Sequence, residues 1–430
     1  MKKIISFIIL SLLISKIFFA QKSPLDTSAQ SEIAFVEDNP EIAIFDSLVN
    51  NKFFKENLIN SAEKPNINNI QTDNELIFTD SVYEERIAKL NSNSPFEFVY
   101  NEDVKHYIER YTKKPNCLSR RALGLSKLYF PLFEELLDKY NLPLELKYLA
   151  IIESALNPKA VSRSKAVGLW QFMPRTGEIY NLQYSSVIDD RSDPYKSTVA
   201  ACKHLSYLYQ IYNDWFLVLA AYNSGSGTVN RAIKRSHGGT NYWEIRNHLP
   251  RETRNYVPGF IAINYAMNYA SEHNIIPKST SFVFQEIDTL TVKHEITFEQ
   301  ISQMLNIPIV ELEFLNPAYK KGIIPASENK TYSLTIQKKY LADFINNEAT
   351  LYNYKTEQQL KEEEALTQTT SWEQGSDKEI HVVRKGESLG IISRRYKCSI
   401  DDLKYWNNLN KNMIHPGQEL LIYVPEEFDK

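Results

Sequence analysis

A single carboxylate, Glu153, and a few neutral hydrogen-bonding side chains carry the chemistry this chain can do. Glu153 lies four residues after Leu149 and seven after Leu146. Leu142, Leu146, Leu149 and Ile152 recur at helical spacing behind Pro143, so the spacing predicts a helix with one buried face, closed by Asn157-Pro158. Glu153 falls on that buried side, near the helix's negative C-terminal end. Desolvation and the helix dipole both raise its pKa, and a carboxylic acid still protonated near neutral pH is what a general acid requires. For an isolated Glu the plainer reading, a bond to a nearby amide or Lys, is the commoner case.

The residues that follow weigh against the plainer reading. Ser162 comes nine residues on and Gln171 eighteen on, within Gly168-Leu169-Trp170-Gln171-Phe172-Met173-Pro174. Further along stand Ala221-Tyr222-Asn223-Ser224-Gly225, Leu249-Pro250-Arg251-Glu252-Thr253 and Tyr256-Val257-Pro258. In these ordered blocks, beginning with the Glu153-Ser154 pair, the chain resembles the lytic transglycosylases of lysozyme-like fold. Among them it is most similar to the membrane-bound lytic murein transglycosylase D group. The resemblance implies cleavage between N-acetylmuramic acid and N-acetylglucosamine in peptidoglycan glycan strands, with Glu153 as catalytic acid and then base. Ser162 and Gln171 are expected to orient the substrate's acetamido group or Glu153 itself. Tyr222 and Tyr256 offer hydroxyls and flat faces for sugar rings, and Asn223 a bond to sugar or backbone. Core packing is the reading for Phe172 and Met173.

Glycoside cleavage usually engages two carboxylates. The acids that follow Glu153 are Glu178 and the pair Asp189-Asp190. A hydrolytic muramidase using Asp189 or Asp190 as base therefore stays open beside the one-carboxylate lyase, as does an inactive glycan-binding scaffold.

The elements that must hold these residues lie between Phe96 and about Tyr269. Helical patterns cover Val104–Tyr111, Ser119–Tyr140, Ser197–Tyr212, Trp215–Tyr222, Val229–Lys234 and Tyr256–Tyr269, with no alternating strand runs between them. Ser224-Gly225-Ser226-Gly227 ends a helix and is not a nucleophile loop. The expected architecture is a mainly α lysozyme-like catalytic domain over 96–277, followed by two small α+β (βααβ) LysM-like modules.

The two modules show as an internal repeat. Residues 292–325 and 383–416 align without a gap, placing Val292 on Val383, Ile301 on Ile392, Leu312 on Leu403, Asn316 on Asn407 and Pro325 on Pro416. After five extra residues in the first copy, Leu334 and Ile336 match Leu420 and Ile422. The copies resemble LysM modules, over 285–338 and 380–424. That resemblance implies glycan binding through Gly386, Glu387, Ser388 and Leu389 at one end of the second copy and Ile414, His415 and Pro416 at the other. The first copy lacks the opening glycine and reads as degenerate. Residues 339–379 read as a charged, Gln/Glu-rich linker.

Before the helical region, Lys2-Lys3, an apolar run from Ile4 to Leu13 and Phe18-Phe19-Ala20 predict a secretory signal over 1–20. The polar stretch 21–95 reads as a mostly disordered spacer. The expected location is the periplasm or the outer membrane's surface, with possible envelope association. A net charge of −4 speaks against a nucleic-acid partner. The eight histidines form no ligand pair, so no metal and no cofactor is assigned. Cys117 and Cys202 either pair or stay buried thiols, and Cys398 aligns with Ile307 as a core position.

Overall fold

The structure is a computed structural model that describes residues 78–113, 118–327, 330–356, 359–361 and 376–425. The signal sequence, most of the spacer, Cys117 and residues 357–358 and 362–375 of the linker lie outside those residues. Cys202 is a buried free thiol, pushed up to about 12 by desolvation.

The catalytic region is helical. It begins with α1 (Asp80–Asn91), α2 (Glu102–Lys113) and the long α3 (Leu118–Lys139). A 3-10 turn, Leu144–Tyr148, leads into the short α4 (Leu149–Ser154). Then come α5 (Pro174–Ile179), α6 (Pro194–Tyr212), α7 (Trp215–Ser224), α8 (Ser226–Arg235), α9 (Tyr242–Ile245) and α10 (Arg251–Asn268). Helix α7 is apolar on nearly all sides and α10 is buried all round from Tyr256 to Ala266, which fits helices enclosed by others. Val257, Phe260, Ile261, Ile263 and Tyr265 of α10 are fully buried, each large apolar side chain contributing about 1.5–3 kcal/mol. Asp193 and Asp214 cap α6 and α7 by accepting from the amides of Lys196 and Leu217.

Two expectations change here. The spacer was expected to run to 95, but α1 buries Tyr83 and Ile87 in the catalytic core, and Arg86 donates to the Tyr265 hydroxyl at 2.7 Å. The helix bearing Glu153 was expected to close at Asn157-Pro158. It stops at Ala155, because Ala155 and Leu156 turn left-handed (φ 54° and 59°) and send their amides back to Ile151 and Ala150.

Each C-terminal module is a strand, two helices and a returning strand. In the first, β1 (Ile287–Val292) pairs antiparallel with β4 (Tyr332–Gln337) around α11 (Phe298–Leu305) and α12 (Ile309–Leu315). A further short ladder joins β2 (Ile296–Thr297) to β3 (Ile323–Ile324). The expected boundary at 338 falls short: α13 (Leu341–Asn346) and α14 (Glu348–Asn353) bury Phe344 and Leu351 in the same core as Ile301, Leu312 and Leu334. In the second module β5 (Ser376–Val382) pairs with β6 (Glu419–Pro425) around α15 (Leu389–Tyr396) and α16 (Ile400–Trp406). The aligned asparagines do the same work in both. Asn316 clamps Leu312 O and the backbone of Thr335, and Asn407 clamps Leu403 O and the backbone of Leu421.

Candidate active site

Glu153 sits in the last turn of α4, partly buried, and accepts a hydrogen bond at Oε1 from the Tyr256 hydroxyl of α10. Its carboxyl is pushed up to about 7. Desolvation is the main cause, the bond from Tyr256 opposes it by favouring the ionised form, and the charge of exposed Glu252 adds to the rise. The Tyr222 and Tyr256 hydroxyls are held well above the ordinary phenol value by burial and by the Glu153 charge, so both stay protonated donors.

The backbone behind the acid is strained. Two consecutive non-glycine left-handed residues cost about 1–2 kcal/mol each, and both Ala155 and Leu156 are wholly buried, so packing holds them there. Next to the acid, Ser154 donates to Ala150 O and Leu169 O, both at 2.9 Å, which ties α4 to the Gly168–Gln171 block. Ser154 was visible as the second half of the Glu-Ser pair, yet only the fold gives it this clamping role.

Tyr222 donates to the carbonyl of Trp170 at 2.8 Å, and Trp170 is itself buried, with Nε1 donating to Thr198. Gln171 is left-handed (φ 47°) and spends both amide hydrogens on Ala160 O and Gly168 O, which leaves its carbonyl oxygen for a ligand. Ser162 accepts from the Ala166 amide at 3.0 Å and keeps its hydroxyl hydrogen to donate. Asn223 accepts from Thr253 Oγ at 2.9 Å and so locks α7 to the first turn of α10. Tyr256 therefore reaches Glu153 directly, Tyr222 lies near enough to feel its charge while bonding Trp170, and Asn223 braces the helices. Ser162 and Gln171 belong to the adjoining 160–172 loop. Met173, expected in the core, is exposed at the start of α5, while Phe172 is buried as expected.

The second-carboxylate reading fails at Asp189 and Asp190. Asp189 receives Nε and Nη2 of Arg191 at 2.9 and 2.8 Å, and Asp190 pairs with Lys196 Nζ at 2.8 Å while accepting the Gln183 amide. Both are nearly fully buried and spent on structure. Behind Tyr222, burial holds His204 down to about 4, so its imidazole is neutral and adds no positive charge that would ionise Glu153. Nothing in the local sequence marked Arg191 or His204, because the Lys165 and Phe172 carbonyls that Arg191 binds, and the Tyr180 and Tyr222 rings beside His204, are distant in the chain. No group of His, Cys, Asp and Glu able to hold a metal occurs among the described residues.

In the second module, Gly417 N bonds to Val383 O and Val383 N to Gln418 O, which sets the 383–388 and 414–418 loops side by side. Gly386 takes φ 93° in the turn, Ser388 stands at the N-terminus of α15, and His415 and Pro416 are exposed. Three of the expected glycan contacts do other work. Leu389 is a core residue, and Ile414 packs partly against that core. Glu387 is held down to about 2 by the Arg384 amide, His381 and Arg395, so it builds the turn.

Residues 131–244 match the transglycosylase SLT domain family, residues 286–353 the LysM-like domain of lytic transglycosylase MltD, and residues 381–422 the LysM domain family. The chain carries the SLT domain of the peptidoglycan lytic transglycosylases. Its succession of SLT, MltD-type LysM-like and LysM segments is that of the membrane-bound lytic murein transglycosylase D type. The membrane-bound lytic murein transglycosylase D of Escherichia coli (strain K12) is 28% identical over 328 residues, which is 75% of this chain and 69% of that protein. The membrane-bound lytic murein transglycosylase C of Photorhabdus laumondii is 37% identical over 134 residues, 28% of this chain and 36% of that one. Among solved structures, the 70 kDa soluble lytic transglycosylase SLT70 of Escherichia coli aligns with a TM-score of 0.29 and 28% identity, over 34% of this chain and 25% of that chain. No helix among the described residues is long and apolar enough to cross a membrane.

Proposed function

We propose that Glu153 drives a non-hydrolytic cleavage of the bond between N-acetylmuramic acid and N-acetylglucosamine. The protonated carboxyl gives its proton to the glycosidic oxygen, and the C1–O bond breaks. The acetamido carbonyl of the muramic residue stabilises the cationic C1. Glu153, now a carboxylate, takes the proton of the C6 hydroxyl, and O6 closes on C1 to give a 1,6-anhydro end. No water enters, and Glu153 finishes protonated. Ser162 and the free carbonyl of Gln171 fit donors and acceptors for the acetamido group.

The observation that carries this reading is a lone carboxyl raised to about 7 beside Tyr256, with Asp189 and Asp190 consumed by ion pairs. One residue that is half protonated near neutrality suits acid and base turns in the same cycle. Mass spectrometry of digested peptidoglycan tests it. Products ending in anhydro-muramic acid, one water lighter than reducing ends, are expected, and reducing ends would establish a hydrolase instead.

The same reading places the protein in the cell envelope, exported by residues 1–20 to the periplasm or the outer membrane, where its polymer lies. The second LysM module then serves targeting: binding glycan there raises the local concentration of strands around Glu153. Removing residues 376–430 is expected to lower activity on intact sacculi by about tenfold or more while leaving turnover of short soluble strands nearly unchanged. Equal losses on both substrates would make the module part of the catalytic unit.

A further inference from the structure

The first LysM-like module does not hang free of the catalytic domain. Its α12–β3 turn lies against the 185–189 loop: Asp189 N donates to Ala318 O at 2.9 Å, and Lys320 N donates to Val187 O at 2.8 Å. The Lys320 ammonium donates to Ser185 O at 2.7 Å, sits 3.8 Å over the Tyr184 ring and lies 3.9 Å from the Asp189 carboxylate. Ile188, from the catalytic side, is buried in the module's own core, while Phe314 and Leu315 of the module are buried in the catalytic core. The two cores are interlocked.

What that loop does next leads to the active site. Asp189, fixed by Ala318 and faced by Lys320, grips Arg191 through two bonds. Arg191 in turn donates from Nη1 to Lys165 O at 3.1 Å and Phe172 O at 3.3 Å, the two ends of the turn that holds Gly168, Trp170 and Gln171. Gly168 packs so closely on the Arg191 carbonyl that a Cβ there would lie 1.9 Å from it. The chain of contacts runs Lys320 and Ala318, Asp189, Arg191, then the 160–172 loop.

We propose that the first LysM-like module is a positioning element of the active site, holding the 160–172 loop in register with Glu153 through Asp189 and Arg191. Lys320 and Arg191 are positioning residues that act through this loop and touch no reacting atom. The inference rests on the reading of Glu153 and its neighbouring loop as the catalytic site. It also gives this copy, which lacks the glycine of the second, a role that requires no sugar.

The test uses the full chain with Lys320→Glu, which sets a carboxylate beside Asp189. Hydrogen exchange at the amides of Val167, Gly168 and Phe172 is expected to quicken at least tenfold, while the buried amides of α10 keep wild-type protection. In parallel, kcat on short soluble strands is expected to fall about tenfold or more, since small misplacements of a positioned site are costly. Lys320→Arg is expected to restore both. Lys320→Met, which removes a charge without adding one, gives the same pattern at smaller scale should Lys320→Glu not fold. Unchanged exchange in 160–172, uniform loss of protection across α10, or failure of Lys320→Arg to rescue would each overturn the proposal. Because exchange is read without turnover, a wrong assignment of Glu153 would leave this result intact and show separately in the Glu153→Gln variant.

Discussion

Glu153→Gln is expected to abolish cleavage of peptidoglycan and, at the same time, to stabilise the protein above neutral pH. An amide fills the space of the carboxyl and can still accept from Tyr256, but it has no proton to give the glycosidic oxygen. General acid–base catalysis is typically worth about 10² to 10⁴ in rate, and here one residue performs both turns. The stability effect follows from linkage. Glu153 binds its proton more tightly folded, at about 7, than at its ordinary 4.5. Below 4.5 both states are protonated and the fold incurs no penalty. As pH rises from 4.5 through 7 that stability is lost, to roughly 3 kcal/mol at pH 8. Denaturant titration at pH 5 and pH 8 should show the variant gaining on wild type by less than about 1 kcal/mol at the lower value and roughly 3 kcal/mol at the higher. Activity above a tenth of wild type would remove Glu153 as the acid.

The second large effect is expected at Gly168→Ala. The residue needs φ 90° and its added Cβ would stand 1.9 Å from the Arg191 carbonyl oxygen, with backbone on both sides of the contact. Neither side yields without moving the 160–172 loop or the Asp189–Arg191 pair. A loss of about 3 kcal/mol or more is expected, together with loss of activity. Gly386→Ala supplies the control. It has nearly the same φ, 93°, but open space around the Cβ, so the local backbone cost of about 1 kcal/mol is all that applies. Equal destabilisation of the two variants, read by thermal or denaturant unfolding, would show that the contact with Arg191 does not matter.

The sequence carried the parts of this fold that repeat at short range. Trp215–Tyr222 and Ser119–Tyr140 announced themselves by periodicity; the first lies inside helix α7, and the second matches α3 to within one residue at each end. The matched Asn316 and Asn407 gave the module repeat, because the same local clamp is needed twice. Glu153, Tyr222 and Tyr256 were legible by motif and lie together. What was hidden depends on partners far along the chain. The early stop of the Glu153 helix is set by tertiary packing of Ala155 and Leu156, against their intrinsic preference. The roles of Asp189 and Arg191 emerge only when Lys165 and Phe172 are brought beside them. Likewise the stretch after 338 looked like linker because its apolar residues, Phe344 and Leu351 among them, fall in two helices too short to show a period.

Burial beside Tyr256 keeps Glu153 protonated near neutral pH, ready to act as an acid. Difference infrared titration of wild type against Glu153→Gln measures this directly, because the variant cancels every other carboxyl. A protonated-carboxyl band that disappears with a midpoint of about 7 is expected. A midpoint near 4.5, the ordinary value for a Glu, would contradict it.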